Sequence, residues 1–474
     1  MLDMVELRRR YRSRGQTLIL FLGFAAALVS AFLIAFNTGQ TSNAKMRAMN
    51  AADAAAYSGA VWEARTLNFQ AYMNRAMIAN EVAIAQSVSL RSWVSYVDTF
   101  MTNINDITQF IPYVGEVTTA VQKAIKGVDK FVQASLPLGE QILRGVNFVA
   151  SSSQQAINVI GVKAATELAG GVAQANGAQL TGPNTPLTGT LFLSNEASWL
   201  GLTSSYCRTT NFACSNDLRR LREVALNSRD GFTYSRAWKD RWPFMLPFIF
   251  NVRKQGGTDL IDYDSWKGLD SAELQRWNPK KMSWGKGVPL GWGGAQAYNP
   301  NVVTRVGTHG SINEWDHFDG RKANTTANYD NQKKMLFPFP NYRDIAKPAV
   351  QNADLHVPFA VEVFIPKNQI KTSDEMLSKD GKPAQAILFN GTVVNPSPNF
   401  ANGNEGVYAL ATGCVRFSRP IGSERASGRT EYPSLFNPYW RASLATNSRI
   451  NRLAVDIVKK LPESALLEGN SSCS

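Results

Sequence analysis

Two histidines and two aspartates lie close together in the segment 308–320, where they could hold a metal ion: His309, Asp316, His317 and Asp319. Imidazole and carboxylate groups bind zinc or calcium, but this segment lacks the ligand spacing of the known zinc and calcium motifs. We therefore expect a polar surface loop here, and neither a metal nor another cofactor in the protein. The alternative is an envelope hydrolase that would use His309 and His317.

Glycine-rich motifs that bind phosphate groups are missing from the sequence. No G-x-x-x-x-G-K-[ST] run occurs, and Gly285, Gly287 and Gly291 have the wrong spacing for a dinucleotide fingerprint. These glycines predict a flexible loop rich in glycine and tryptophan. An Asp-x-Ser-x-Ser metal motif is absent as well.

The four cysteines have two interpretations. Cys207, Cys214, Cys414 or Cys473 could act as a nucleophile only beside a histidine, and the chain has three histidines. The simpler interpretation is structural cysteines in an oxidising compartment, with Cys207 and Cys214 closing a short loop as a disulfide. Because 474 residues contain only three histidines and four cysteines, we predict that the protein is not an enzyme.

Tryptophans provide the remaining candidate chemistry, because their rings can stack on sugars. Six of them cluster in the second half of the chain: Trp238, Trp242, Trp266, Trp277, Trp284 and Trp292. Scattered aromatic residues in a proline-rich β domain are more often core and loop anchors. The alternative function is an envelope-anchored glycan-binding protein or adhesin.

One segment predicts a transmembrane helix, residues 15–36, which carries no charged side chain. Its apolar part, 17–36, spans roughly 30 Å, the thickness of a bilayer core. Five arginines precede it and only Lys45 and Arg47 follow closely, so the arm 1–14 should lie in the cytoplasm and the rest in the periplasm of a bacterium. The alternative is a signal peptide cleaved after Ala44.

With this topology the net charge of +13 divides between the cytoplasmic arm and the external part of the chain. The external part holds 45 cations and 35 anions, which leaves +10 spread without a dense basic run. Scattered positive charge favours an anionic envelope surface or an acidic protein partner over nucleic acid.

A row of small residues follows the membrane segment at helical spacing. Its members recur every three or four positions and predict a helix-packing face: Ala44, Ala48, Ala51, Ala52, Ala55, Ala56, Gly59 and Ala60. A ridge of small side chains lets another helix backbone approach closely. The alternative is that alanine is simply the best helix former.

Further along, the sequence predicts an α+β protein in which the membrane helix continues into a long helical region, 37–169. Within that region 60–111 has no strong helix breaker, and 114–136 and 140–168 have apolar residues at helical spacing. A linker and mixed segment, 170–237, begins with a loop at Gly170 and Gly171.

The last segment, 238–474, contains 17 of the 21 prolines and eight of the 11 tryptophans, which predicts an antiparallel β domain. Apolar runs predict strands at 358–365 and 407–417. Asn390-Gly391 predicts a hairpin turn, and we expect its strands to share one sheet with the other two. An amphipathic helix should follow at 450–461, ending before Pro462.

Gly15 and Gln16 precede the membrane helix, and a signature, NAADAAAYSGA, with Asn50 and Asp53, follows on the same helix. On these residues the N-terminal region resembles the module of TadG-like Flp pilus-assembly proteins. The segments 74–80, with Asn74, Arg75 and Asn80, and 436–440 also resemble longer members of the group.

This resemblance implies a membrane-anchored, pseudopilin-like accessory component of a Tad/Flp pilus or a related secretion apparatus. Its partners would be other pilus-assembly or secretion proteins at the inner membrane. Leu20 stands where type IV-like pilins carry glutamate, which speaks against processing after Gly15. Many TadG-like proteins contain a von Willebrand A domain, for which this sequence gives no support.

Overall fold

The structure is a computed structural model, and it describes residues 3–182, 186–205, 223–237, 250–261, 265–285, 287–298, 320–329, 335–346, 355–373, 386–388, 392–394, 406–418 and 433–445. Within this part the protein is α+β, with two long helices followed by antiparallel sheets. The α+β class predicted from the sequence is confirmed at this level. The predicted C-terminal helix at 450–461 lies outside the described residues.

A single helix, α1 (Asp3–Thr108), runs without a break through the apolar segment and far beyond it. A short turn then reverses the chain into α2 (Val114–Ala175), which packs antiparallel along α1. The prediction of a loop at Gly170 and Gly171 is wrong, because both lie inside α2. Gly170 faces Leu180, so packing outweighs the low helix propensity of glycine there.

The start of α1 has the length and composition of a membrane helix, and α2 also passes that test. None of the most apolar stretch of α1 is buried within the protein. Burial begins at Asn37, one residue past the apolar segment. The Asn37 amide donates to Ser373 Oγ at 2.7 Å, and the Ser373 backbone N–H donates to Asn37 Oδ1 at 2.7 Å. The folded body therefore begins at the edge of the apolar segment.

Twelve strands and three further helices with both ends described follow: β1 (Gln179–Leu180), α3 (Pro186–Leu202), β2 (Thr203–Ser205), α4 (Gly231–Tyr234), β3 (Phe250–Leu260), β4 (Trp266–Asn278), β5 (Ser283–Trp284), β6 (Val288–Ala297), α5 (Gly320–Tyr329), β7 (Arg343–Ile345), β8 (His356–Pro366), β9 (Ala386–Leu388), β10 (Thr392–Val394), β11 (Gly406–Phe417) and β12 (Trp440–Leu444). Residues 223–227 are helical as well. A 3₁₀ turn, Lys367–Gln369, follows β8.

The first sheet, which we call the proximal sheet, has the strand order β1-β8-β11-β12 and is fully antiparallel. Its central pair runs from Gly406 opposite Pro366 to Arg416 opposite His356. Every second residue of β8 is buried, as expected for a strand with one face on a core. The buried face packs on α1, and α3 contacts β8 through hydrogen bonds of Asn195 to the Ala360 backbone.

The second sheet, the distal sheet, is built around β4, which pairs with β3 on one edge and with β6 and β5 on the other. It packs against a later part of α1, near Ser92, Tyr96 and Phe100. Helix α5 contacts the opposite side of β6. One helix thus serves as the support for two sheets placed one after the other along its length.

The predicted strands at 358–365 and 407–417 correspond to β8 and β11, which pair with each other. The predicted hairpin also forms, with Thr392 opposite Leu388 and Val394 opposite Ala386. Its strands β9 and β10 form a separate two-stranded sheet, so the expectation that they share a sheet with β8 and β11 is wrong. The hairpin signal fixes local pairing and says nothing about which sheet a hairpin joins.

Candidate functional site

The small-residue face of α1 is buried within the protein itself. Its alanines are at most slightly exposed and pack into a core with β8 and β11: Ala44, Ala48, Ala51, Ala52, Ala55, Ala56 and Ala60. A Cβ added at Gly413 of β11 would overlap the backbone oxygen of Ala56. The ring of Phe359 lies against Gly59 in the same way. The close approach expected from the sequence exists: strands of the proximal sheet occupy the face, and buried alanines of α2, Ala165, Ala169 and Ala173, belong to the same core.

The opposite side of this helical segment is open to solvent. Met46, Met49, Asn50 and Tyr57 are exposed, and Asp53 is half-buried. They recur three or four residues apart, so they form one stripe, the outward stripe. Partial burial raises the pKa of the Asp53 carboxyl. The two polar signature residues, Asn50 and Asp53, therefore lie on the free side of the helix, and Gly15 and Gln16 lie in the backbone of α1 nearer the N-terminus.

Two motifs that are far apart in sequence meet in space. The buried Asn74 amide donates to Leu435 O at 2.7 Å and to Arg343 O at 2.8 Å. Next to it, Arg75 donates to Asn437 Oδ1 at 3.0 Å and to Phe436 O. These bonds hold the segment 434–437 on α1.

A third residue, Asn68, completes this attachment and carries no sequence signal of its own. It donates to Trp440 O at 2.9 Å, and its oxygen accepts the Trp440 backbone N–H at 3.0 Å. Asn80, the last residue of the predicted signature, donates instead to Asn147 of α2 at 2.8 Å. The motif residues thus connect α1 to β12 and to α2.

A cleft of about 690 Å³ lies beside these contacts. Its walls come from α1, from the helical turns near residue 224 and from the attached segment: Arg75, Ile78, Ala79, Val82, Gln86, Val224, Ser228, Ser434, Phe436 and Asn437. These side chains are apolar or neutral apart from Arg75, and none is a histidine, cysteine or carboxylate. The walls can bind an apolar or hydrogen-bonding group, but they supply no acid–base pair for catalysis.

Gln86, at the edge of this cleft, donates to Asp230 Oδ2 at 2.8 Å. Asp230 also caps the short helix α4 by accepting from Thr233 N at 2.9 Å. Burial alone would raise the pKa of Asp230, but the hydrogen bonds from Gln86 and Thr233 outweigh it and lower the pKa to about 2. The contact therefore stays charged and attaches the 223–237 segment to α1.

The contact between α1 and α2 is polar and buried. Arg144 Nε lies 2.7 Å from Glu81 Oε1, and Arg91 Nη1 lies 3.2 Å from Glu140 Oε1, with all four side chains almost inaccessible to solvent. Trp266 of β4 donates its indole N–H to the second oxygen of Glu81 at 3.0 Å. Buried charges of this kind are tolerated because each is paired.

Sequence reasoning missed this polar seam, although a signal for it exists. Its members on α2 recur three, four or seven residues apart: Gln133, Glu140, Arg144, Asn147, Ser151, Gln154 and Asn158. A polar stripe at helical spacing can be recognised in the sequence, but it is ordinarily interpreted as a solvated face.

Several of the predicted chemical residues lie outside the described part of the chain. This is true of His309, Asp316, His317, Asp319, Cys207 and Cys214, so the predicted disulfide between the last two stays a prediction. Cys414 is fully buried and disulfide-bonded. Among the described residues no group of three histidine, cysteine, aspartate or glutamate side chains is arranged to hold a metal.

The tryptophans that the structure describes are mostly anchors. Trp266 is fully buried and hydrogen-bonded, and Trp277 and Trp284 pack edge to face with ring centroids 5.2 Å apart. Trp292 lies under the Lys322 ammonium, 4.0 Å from the ring centroid. Trp238 and Trp242 lie outside the described residues.

Comparison with known proteins identifies the N-terminal module. Residues 15–62 match the family described as putative Flp pilus-assembly TadE/G-like. No curated protein and no solved structure matches the chain significantly. The match covers Gly15 and Gln16, the apolar segment and the NAADAAAYSGA signature, which carried the resemblance in the sequence. The alanine face and the outward stripe lie within the same residues. The protein therefore contains a TadE/G-like Flp pilus-assembly module at residues 15–62.

Proposed function

We propose that the protein is a membrane-anchored, pseudopilin-like accessory component of a Tad/Flp pilus or a related secretion apparatus. The observation that carries this proposal is the family match at residues 15–62. It acts through contacts with other proteins of the apparatus and is not an enzyme. The fold supports such a role, because the module continues directly into the helix on which both sheets pack.

The proposed topology is single-pass, with the N-terminus in the cytoplasm and the folded body in the periplasm. The five arginines before the apolar segment favour this orientation. The disulfide at Cys414 supports it independently, because disulfides persist in oxidising compartments outside the cytoplasm. Under this proposal α2 belongs to the periplasmic body, since its polar face is buried on α1.

Among the described residues, the outward stripe is a surface of the module beyond the apolar segment that stays exposed and can meet a partner. The alanine face cannot serve, because the proximal sheet already covers it. Met46, Met49 and Tyr57 supply apolar contact area beside Asn50 and Asp53, a combination typical of protein interfaces. We therefore place the contact with the pilus apparatus on this stripe.

Counting surface pili on cells that produce full-length variants tests the proposal. Tyr57→Ala combined with Met49→Ala should abolish or strongly reduce piliation while the protein stays in the membrane fraction at its normal level. Tyr72→Ala is the matched control, since Tyr72 is also an exposed tyrosine on α1 but lies beyond the module. Normal piliation after deletion of the whole chain would contradict the proposed function. Equal piliation in the stripe and control variants would contradict only the placement of the contact.

A further inference from the structure

The outer face of α2 is apolar and exposed over much of its length, whereas its buried face is polar between Glu140 and Asn158. Large apolar side chains on this face include Phe131, 71% exposed, and Leu138, 65% exposed. An ordinary surface helix has the reverse arrangement, with the apolar side buried. The buried side of α2 is occupied by α1, and within the described part of the chain no element covers the apolar side.

The spacing of this apolar face identifies the kind of partner. Between 114 and 142 a set of exposed residues, apolar apart from Ser135, recurs in alternating steps of three and four, a heptad repeat over about four heptads. Positions a are Val114, Val121, Val128, Ser135 and Ile142, and positions d are Val117, Ala124, Phe131 and Leu138. A repeat of 3.5 residues keeps one stripe turned toward a facing helix, whereas a face that only touches lipid has no need of it.

From this repeat we propose that α2 forms a parallel coiled coil with α2 of a second copy of this chain. Two copies anchored through α1 in the same membrane have their α2 helices pointing the same way. The β-branched residues Val114, Val121 and Val128 at position a match the pattern that favours two parallel strands. The parallel orientation rests on the membrane anchoring proposed above.

The charges of the segment suit pairing between identical copies. Residues 114–142 contain three acidic and three basic side chains, so two copies do not repel each other through net charge: Glu116, Asp129, Glu140, Lys123, Lys126 and Lys130. All six occupy heptad positions b, c or f, away from the line of a and d residues, which we call the heptad seam. The positions that flank the seam, e and g, are uncharged, so no like charges oppose each other across it.

The area available is sufficient for a stable pair. Seven large apolar side chains on each copy lie in the seam, each more than two-fifths exposed: Val114, Val117, Val121, Val128, Phe131, Leu138 and Ile142. At roughly 100 Å² for each side chain, two copies would bury on the order of 1,400 Å², within the range of specific protein interfaces. Beyond Ile142, Phe337 packs on Phe148 beside this line of residues, with ring centroids 5.1 Å apart.

Cysteine cross-linking of the full-length protein in native membranes tests the pairing. Val128→Cys, at position a, should give a disulfide-linked homodimer at a level at least about tenfold above wild type, because a residues of paired helices face each other. Lys130→Cys, two residues away at position c, is the matched control and should stay at the wild-type level. Both residues are exposed, so neither change disturbs the core of the protein.

A second pair of variants separates the seam from general surface effects. Phe131→Glu with Leu138→Glu, made in the Val128→Cys protein, should abolish the cross-link and reduce the mass in mild detergent from dimer to monomer. Leu193→Glu, on α3 and 63% exposed, should change neither.

Three results would overturn the proposal. The first is equal cross-linking of the Val128→Cys and Lys130→Cys proteins. The second is a cross-link from the Val128→Cys protein to a different protein. The third is that the Val128→Cys thiol forms no cross-link and is protected from a water-soluble maleimide in vesicles. The last result would mean that lipid covers the face. Failure of the anchoring proposal would show differently, as wild-type protein in the soluble fraction.

Discussion

Helix α1 packs against two sheets by different means. At the proximal sheet the contact is made of alanine, glycine and aliphatic side chains, such as Ala56 against Gly413 and Gly59 against Phe359. At the distal sheet glycines again allow a close approach, with Gly293 against Ser92 and Tyr96. The distal contact adds a buried network of charges that the described part of the proximal contact lacks.

The centre of that network is Asp270 of β4. It accepts Arg236 Nε at 3.0 Å, Lys254 Nζ at 3.0 Å and the hydroxyl of Ser92 on α1 at 2.7 Å. Burial lowers the pKa of Lys254, and the charge of Asp270 opposes this effect. The comparison teaches that close approach needs small residues in both places, whereas the distal sheet is also fixed in position by directional bonds.

Removing Asp270 should have the largest effect on this comparison. Asp270→Ala leaves Arg236 and Lys254 buried without their counter-charge, and we expect a loss of about 3–5 kcal/mol in the free energy of unfolding. Chemical denaturation of the detergent-solubilised protein, followed by circular dichroism, measures it. Asp106→Ala is the control, because Asp106 is an exposed residue of α1. A loss no larger than that of the control would mean that the two contacts do not differ in kind.

Adding a methyl group at each sheet tests what the two contacts share. The new Cβ in Gly293→Ala would overlap the backbone of Ser92 and Tyr96, and that in Gly413→Ala would overlap Ala56. We expect each change to lower the free energy of unfolding by about 2–3 kcal/mol. Gly171→Ala on α2, where the added carbon meets open space, should be neutral or slightly stabilising. A large difference between the losses in the free energy of unfolding of the two variants would show that the two sheets do not depend equally on close approach.

The fit of Phe359 on Gly59 can be isolated by a double-mutant cycle. Gly59→Ala places a methyl group in the Phe359 ring, and Phe359→Leu removes part of that ring from the core. Each single change should lower the free energy of unfolding by about 1–2 kcal/mol. The double variant should lose clearly less than their sum, because the smaller leucine leaves room for the methyl group. Strict additivity would show that the two residues do not share the space.

The smallest effect should be a pH-dependent one at Glu63, on the proximal stretch of α1. Glu63 is fully buried, and neither carboxylate oxygen has a hydrogen-bond partner in the described structure. Burial raises its pKa well above the usual value near 4.5. The folded state then holds a proton that the unfolded state has released, so stability falls as the pH rises above the unfolded pKa.

Glu63→Gln removes this titration. The variant should gain about 1 kcal/mol over wild type at pH 8, and the gain should shrink toward zero near pH 4, where both states of the wild type are protonated. Denaturation curves recorded across this pH range measure the difference. A gain in stability that is constant with pH would show that titration of Glu63 is not its cause.

Much of the fold follows from the sequence where the cause is local. The strands β8 and β11 were predicted because their apolar runs match strand length, and β9 and β10 because Asn390-Gly391 favours a two-residue turn. The unbroken α1 follows from the absence of proline before Pro112. The family match at 15–62 confirms the resemblance that the signature indicated.

The rest depends on which surfaces meet, and composition does not specify that. An alanine face admits a helix or a strand equally, and nothing in the segment 44–60 indicates that Gly413, on a strand about 350 residues later, packs against it. The segments 74–80 and 436–440 were both recognised as motifs, yet nothing in either indicates that Arg75 bonds to Phe436 and Asn437. The predicted domain boundaries at 170 and 238 stay predictions.

The continuity of α1 has a mechanical consequence. From Asn37, held by Ser373, to Thr108 the helix extends about 108 Å with no proline or turn to act as a hinge. An unbroken helix of that length, packed on two sheets, behaves as a stiff rod. Any rotation or axial shift of the membrane segment would therefore rotate or displace both sheets together. A movement at the bilayer would in this way reach the far end of the protein.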